Sequence, residues 1–248
     1  MSRQMRPALR TLMGVWLVMA GLTGCANTLT LDTARALPRG EHRLTYYAGG
    51  GYQQGALLRY RRPELEGDPP EDGTRRLPLT APVSFEYGLR ASLGLGLGGQ
   101  ADVWGSAPLP VGLGLGAGLK WQLLGGAAGP VALALTGRAG VTGGGESSGG
   151  RSGTLWLWSS EAGLIASYQP RPGRALYLAP RLRYDHLDSR ASRGDQSTKR
   201  GTWATSAGGA LGLQLGTLFL ETVVLRTPPQ WGSPAGGTLV TGGVGVVR

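Results

Sequence analysis

In the stretch "VGLGLGAGLKWQLL", Val111, Leu113, Leu115, Ala117, Leu119, Trp121 and Leu123 alternate with Gly112, Gly114, Gly116, Gly118, Lys120 and Gln122. Successive strand side chains point to opposite faces, so a strand here carries one wholly apolar face and one that is small or polar. The same reading fits "LGLGLGGQADVW", where Leu93, Leu95, Leu97, Ala101 and Val103 oppose Gly94, Gly96, Gly98, Gln100 and Asp102. It fits "ALYLAPRLRYDH" as well, with Leu176, Leu178, Leu182 and Tyr184 opposing Tyr177, Arg181, Arg183 and Asp185. A soluble sandwich also alternates, but its outer face is usually charged rather than glycine. The pattern here suits strands whose bulky apolar side meets lipid and whose small or polar side lines a crowded lumen.

Ten such segments occur, near residues 42–53, 80–89, 92–104, 111–124, 131–143, 154–168, 175–188, 202–215, 217–227 and 237–248. What separates them alternates in length. A long connection at 54–79 is followed by "RA", about six residues at 105–110 by "GGAAGP", "GGESSGGRSG" by "QPRPGR", and "SRASRGDQSTKRG" by a single Gly216, before "PPQWGSPAG". Strands of about ten residues joined alternately by long and short connections predict an all-β, antiparallel, up-and-down transmembrane β-barrel of about ten strands, within a range of 8–12. An even count returns Arg248 to the compartment in which strand one began.

The start of the chain bears on which compartment that is. Arg3, Arg6 and Arg10 precede the apolar run "TLMGVWLVMAGL", too short for a membrane-spanning helix and about the length of a signal-peptide core. It leads to Cys25, the only cysteine, which can form no internal disulfide. Leu22, Thr23, Gly24 and Cys25 resemble a bacterial lipobox. That resemblance implies a signal peptide over 1–24 that is removed, diacylglycerol on the Cys25 sulfur and a fatty-acylated amino terminus. Two or three acyl chains anchor firmly at about 0.8 kcal/mol per buried CH₂. Ala26 and Asn27 follow, without the Asp that marks inner-membrane retention, which directs the expectation to the outer membrane. The expected organisation is a lipid-anchored linker over 25–41 and a barrel over 42–248.

"FEYGLRASLGLGLG" (85–98) resembles the strand, tight turn, strand pattern of Gram-negative outer-membrane β-barrel proteins, and "TARALPRGEHRLTYYAGGGY" (33–52) resembles the entry into their first strand. The chain departs from the resemblance at its end, "VGVVR", where such barrels commonly carry an aromatic residue.

With Leu, Val and Trp turned to lipid, the lumen receives Glu86, Asp102, Glu161, Asp185 and Glu221 together with Lys120, Arg138, Arg181 and Arg183. Ten strands enclose little more space than side chains fill, and buried charges must pair or stay hydrated. A lumen plugged by ion pairs is the first expectation, and a narrow channel for small polar solutes the alternative. Trp104, Trp121, Trp156, Trp158, Trp203 and Trp231 lie near strand ends or in loops, as an interfacial aromatic belt requires.

Composition adds a basic balance: loss of Arg3, Arg6 and Arg10 with the signal lowers the formal charge only from +10 to +7. In a bacterial envelope its counterpart is membrane lipid and the phosphates of lipopolysaccharide rather than nucleic acid. No cofactor, metal or catalytic site is expected. His42 and His186 fall at opposite ends of their strands. In "YDHLDS", Asp185 and His186 are adjacent, hence on opposite faces, although Ser189 nearby leaves a lipid-modifying enzyme as a third reading. "GLGLGAG" and "GGGESSGG" lack the Gly-Lys-Ser/Thr ending and the following helix of a phosphate loop. "RYRRPELEGDPPEDGTRR" is proline-broken and reads as a solvated outer loop.

Overall fold

The structure, a computed structural model of the chain, describes residues 32–55, 79–80, 83–90, 92–103, 111–125, 129–148, 151–228 and 237–248. Eleven strand segments follow in order: β1 (His42–Gly55), β2 (Leu79–Thr80), β3 (Val83–Arg90), β4 (Leu93–Val103), β5 (Val111–Leu124), β6 (Val131–Ser148), β7 (Arg151–Arg171), β8 (Arg174–Arg193), β9 (Gln196–Leu215), β10 (Leu218–Thr227) and β11 (Gly237–Val247). The two-residue β2 and β3 are pieces of one stave, since both pair with β1 on one side and β4 on the other. Every neighbour is antiparallel, and β1 pairs with β11 from Thr45↔Val247 to Gly55↔Gly237. The result is a closed ten-stranded antiparallel β-barrel with no free edge.

His42 and Arg248 lie together at one end, the base, where Leu44 and Arg248 exchange backbone hydrogen bonds of 3.1 and 2.9 Å. The register shifts at Gly88/Arg90, Gln122/Leu124 and Tyr168/Arg171 all lie at this end, as bulges at barrel rims do. Pairing of β7 with β8 lapses opposite Ala179 and Pro180, the latter having no N–H to give the ladder.

Side chains alternate as the sequence predicts, inverted relative to a soluble protein. Leu113, Leu178, Leu182 and Leu211 are 65, 55, 60 and 56% exposed on the outside, while Arg181, Arg183, Asp185 and Glu221 are buried within. Outward aromatics form two girdles. Tyr46, Tyr87, Trp121 and Tyr168 sit within a few residues of the base, and Trp156, Trp158, Tyr184 and Trp203 encircle part of the barrel further up. Trp158 and Tyr168 are ten residues apart on β7. At about 3.3 Å per residue and a tilt of about 40°, that separates the girdles by roughly 25 Å, the height of a lipid-facing band.

Two expectations need correction. "GGESSGGRSG" and "SRASRGDQSTKRG" read in the sequence as long connections, but the structure makes them hairpin extensions: β6 runs to Ser148 and β7 starts at Arg151, while β8 and β9 meet across Gly194 and Asp195. Glycine and serine conceal strand periodicity, and the cross-strand ladder supplies the order that composition does not signal. Gly194, at φ +54°, occupies the left-handed conformation that such a tight turn requires. The expected loops at 54–79 and 105–110, Trp104 and Trp231 lie wholly or mostly outside the described residues, as does Cys25.

Candidate functional site

The base of the lumen is not empty. The segment preceding β1 crosses Gly88 at Pro38 and then turns inward, so that residues 32–37 occupy the barrel interior. Its polar groups are taken up by the wall. The Ala34 amide donates to Ser167 Oγ at 3.2 Å, the Ala36 amide to Gln122 Oε1 at 2.8 Å, and an Arg35 guanidinium nitrogen to the Gly129 carbonyl. Small residues make the room. Ala34, fully buried, joins the cluster that holds Ala132, Ala134, Ile165, Ala179 and Ala210.

Asp32 carries the electrostatics of this contact. Lys120 Nζ lies 2.8 Å from its Oδ2 and also donates to the Thr33 carbonyl at 3.3 Å, while Arg43 pairs with its other oxygen. Glu86 accepts from the same Arg43 and stands 2.5 Å from Lys120 Nζ, so two acids and two bases alternate around the site. Burial by itself would raise the Asp32 pKa, but Lys120, Arg43 and Arg138 outweigh it and hold the carboxyl below its usual 3.8.

Above this layer the wall supplies its own pairs. Arg138, Glu161 and Arg183 are successive cross-strand neighbours on β6, β7 and β8. Arg181 reaches Glu161 at 3.4 Å and Glu221 at 3.8 Å, and the Tyr177 hydroxyl donates to Glu221 at 2.7 Å. Arg183 Nε bonds both Asp185 oxygens at 2.9 and 2.8 Å, and Ser159 Oγ donates to Asp185 Oδ1 at 2.5 Å. Gly212 is what admits Tyr177, because a Cβ there would stand 2.0 Å from the ring. The sequence-predicted Glu86, Lys120, Arg138, Glu161, Arg181, Arg183, Asp185 and Glu221 therefore fall into two layers, while the Asp102 side chain lies outside the described residues. Sequence reasoning missed Asp32 and Arg43. The signal available was one acid amid the small residues of "DTARAL", without any periodicity to assign it a face.

His186 points outward, with its Nε2 3.5 Å from Asp188, whereas Asp185 points inward into the Arg183 pair. His42 stacks on Phe85 at the base, 6.0 Å between ring centroids. Among the described residues no three His, Cys, Asp or Glu side chains gather as a metal site needs.

No family model matches the chain. No curated protein matches it either. Solved structures do: Ail, the attachment invasion locus protein of Yersinia pestis, in complex with the heparin analogue sucrose octasulfate, at 13% identity over 85% of this chain and 99% of that one, TM-score 0.37. The outer-membrane protease OmpT of Escherichia coli is 10% identical over 88% and 100%, TM-score 0.45. The translocator domain of the autotransporter NalP from Neisseria meningitidis is 14% identical over 98% and 97%, TM-score 0.39. At these values the likeness is one of architecture alone.

Proposed function

We propose that the chain is an outer-membrane β-barrel protein, anchored in the periplasmic leaflet by lipid on Cys25, that has no catalytic site and serves a structural or surface-interaction role. The observation that carries this reading is the inversion of faces. Two aromatic girdles bound an apolar outer wall on a closed barrel that buries Glu86, Lys120, Arg181, Arg183, Asp185 and Glu221 inside, an arrangement that water would penalise and lipid favours. With Cys25 periplasmic the base is periplasmic too, and the β6–β7 and β8–β9 hairpins project from the cell.

The chain segment and paired side chains inside the barrel support the non-conducting form of this reading over a narrow channel for small polar solutes. Residues 32–37 occupy the base, bonded to β7 and β5, and above them Arg181, Glu161, Glu221 and Tyr177 fill the interior along β7, β8 and β10 with paired groups. Asp185, adjacent to His186 in sequence, is turned inward to Arg183, and the acid beside His186 on the outer face is Asp188 at 3.5 Å; a lipid A mass assay on His186→Ala tests the enzyme reading. Membrane-extracted protein should shift in gel migration on heating, as closed barrels do, and should give no current in a planar bilayer. Stable ion-selective steps would replace the closed form by the channel, and absence of the heat shift would remove the membrane reading.

A further inference from the structure

On the outer wall of the β7–β8–β9 extension, the register places side chains in rows. Trp158, His186 and Trp203 form the girdle row, then Trp156, Asp188 and Gly201, then Thr154, Arg190 and Lys199, then Ser152, Ser192 and Ser197. Arg190 and Lys199 are directly opposed, both exposed, and among the described residues neither pairs with a carboxylate. Like charges opposite one another on a sheet face repel. The nearest acid of the rows, Asp188, is turned to His186 at 3.5 Å. Arg190 Nε is held by Ser197 Oγ at 3.1 Å, and Ser152 and Ser192 hydroxyls bond each other at 2.9 Å immediately above. The basic row therefore stands in a frame of hydroxyls that can themselves donate to an anion.

Its height matters. Four residues along β8 separate His186 from Arg190, about 13 Å of strand and roughly 10 Å along the barrel axis. Girdle aromatics sit at the boundary of hydrocarbon and headgroups, so the row stands at the upper part of the headgroup layer, and long basic side chains bend back into it. We propose that Arg190 and Lys199, with the Thr154, Ser152 and Ser192 hydroxyls, bind the phosphate of an outer-leaflet glycolipid whose acyl chains lie against Trp156, Trp158 and Trp203. One phosphate between the two cations removes their repulsion and gains charge-assisted hydrogen bonds from both. This inference rests on the membrane reading and adds to it a site and a ligand chemistry.

The test uses the full-length protein in detergent and native mass spectrometry, with bisphosphorylated lipid A as probe and enzymatically dephosphorylated lipid A as control. Wild type should retain the phosphorylated lipid and not the control. Each neutralised basic residue at a lipid surface weakens binding about fivefold, so the double variant Arg190→Gln, Lys199→Gln should lose about 25-fold. The charge-keeping variant Arg190→Lys, Lys199→Arg should bind close to wild type. Equal binding by the wild type and the double glutamine variant, or no preference of wild type for the phosphorylated lipid, overturns the site. Heat-shifted gel migration of every variant verifies the barrel, and its loss in wild type would instead refute the membrane reading.

Discussion

Neutralising Asp32 should release the segment that closes the base of the lumen. In Asp32→Asn the carboxylate between Lys120 and Arg43 becomes an amide of the same shape, so packing is kept and charge alone is removed. Breaking a buried ion pair by removing one partner costs about 3–5 kcal/mol when nothing else compensates the remaining charge. Here Glu86 still faces both cations, so about half of that cost, roughly 2 kcal/mol, is the expected loss, or about 30-fold in the docking equilibrium. Hydrogen exchange reads it directly, since the Ala34 and Ala36 amides are bonded to wall side chains. Their protection should fall about 30-fold in the variant while that of β7 and β8 amides stays unchanged. The same assay has an acid arm. The docked Asp32 carboxyl is held below its usual 3.8, so the docked segment binds fewer protons than the free one; docking is strongest at neutral pH and weakens progressively as pH falls below the free carboxyl's range and through the lowered value. The acid step should be missing from Asp32→Asn. Unchanged protection at Ala34 and Ala36 in the variant would refute an electrostatic latch.

Gly88→Val should expel the same segment sterically, because any Cβ at Gly88 stands 2.0 Å from the Pro38 carbonyl oxygen; the readout is trypsin cleavage after Arg35 or Arg39 in a barrel that still shifts on heating, and resistance like wild type would speak against the crossing. Leu182→Arg, near mid-height between the girdles and outward, should lower the yield of heat-shifted barrel by a cost of about 2–4 kcal/mol, whereas Leu182→Phe should be tolerated, and equal yields would contradict the assigned face. Cys25→Ser should abolish incorporation of a fatty-acid probe, and a wild type without label would end the lipobox reading. An epitope at Gly194 should be reached by antibody on intact cells and one between Arg171 and Pro172 should not; the reverse pattern inverts the barrel.

Period two was enough to determine the barrel, because lipid and lumen impose opposite demands on alternate residues, and "VGLGLGAGLKWQLL" or "ALYLAPRLRYDH" shows both demands in its own run of letters. The same alternation puts Lys120, Arg181, Arg183 and Asp185 opposite the bulky apolar residues of their own strands. The strand ends could not be read that way. Serine and glycine in "GGESSGGRSG" carry no face preference, and only the ladder between β6 and β7 decided that they continue the sheet. Nor could pairing be read, since which acid meets which base depends on cross-strand register, a property of two chain segments at once. Asp32 is the clearest case. Nothing local distinguishes it from a solvated linker residue, and its partners lie 11, 54 and 88 positions away at Arg43, Glu86 by way of the shared cations, and Lys120. Closing the sheet into a barrel created the space lined by Ala132, Ala134 and Ala179, and only that enclosed space makes the segment before β1 part of the lumen.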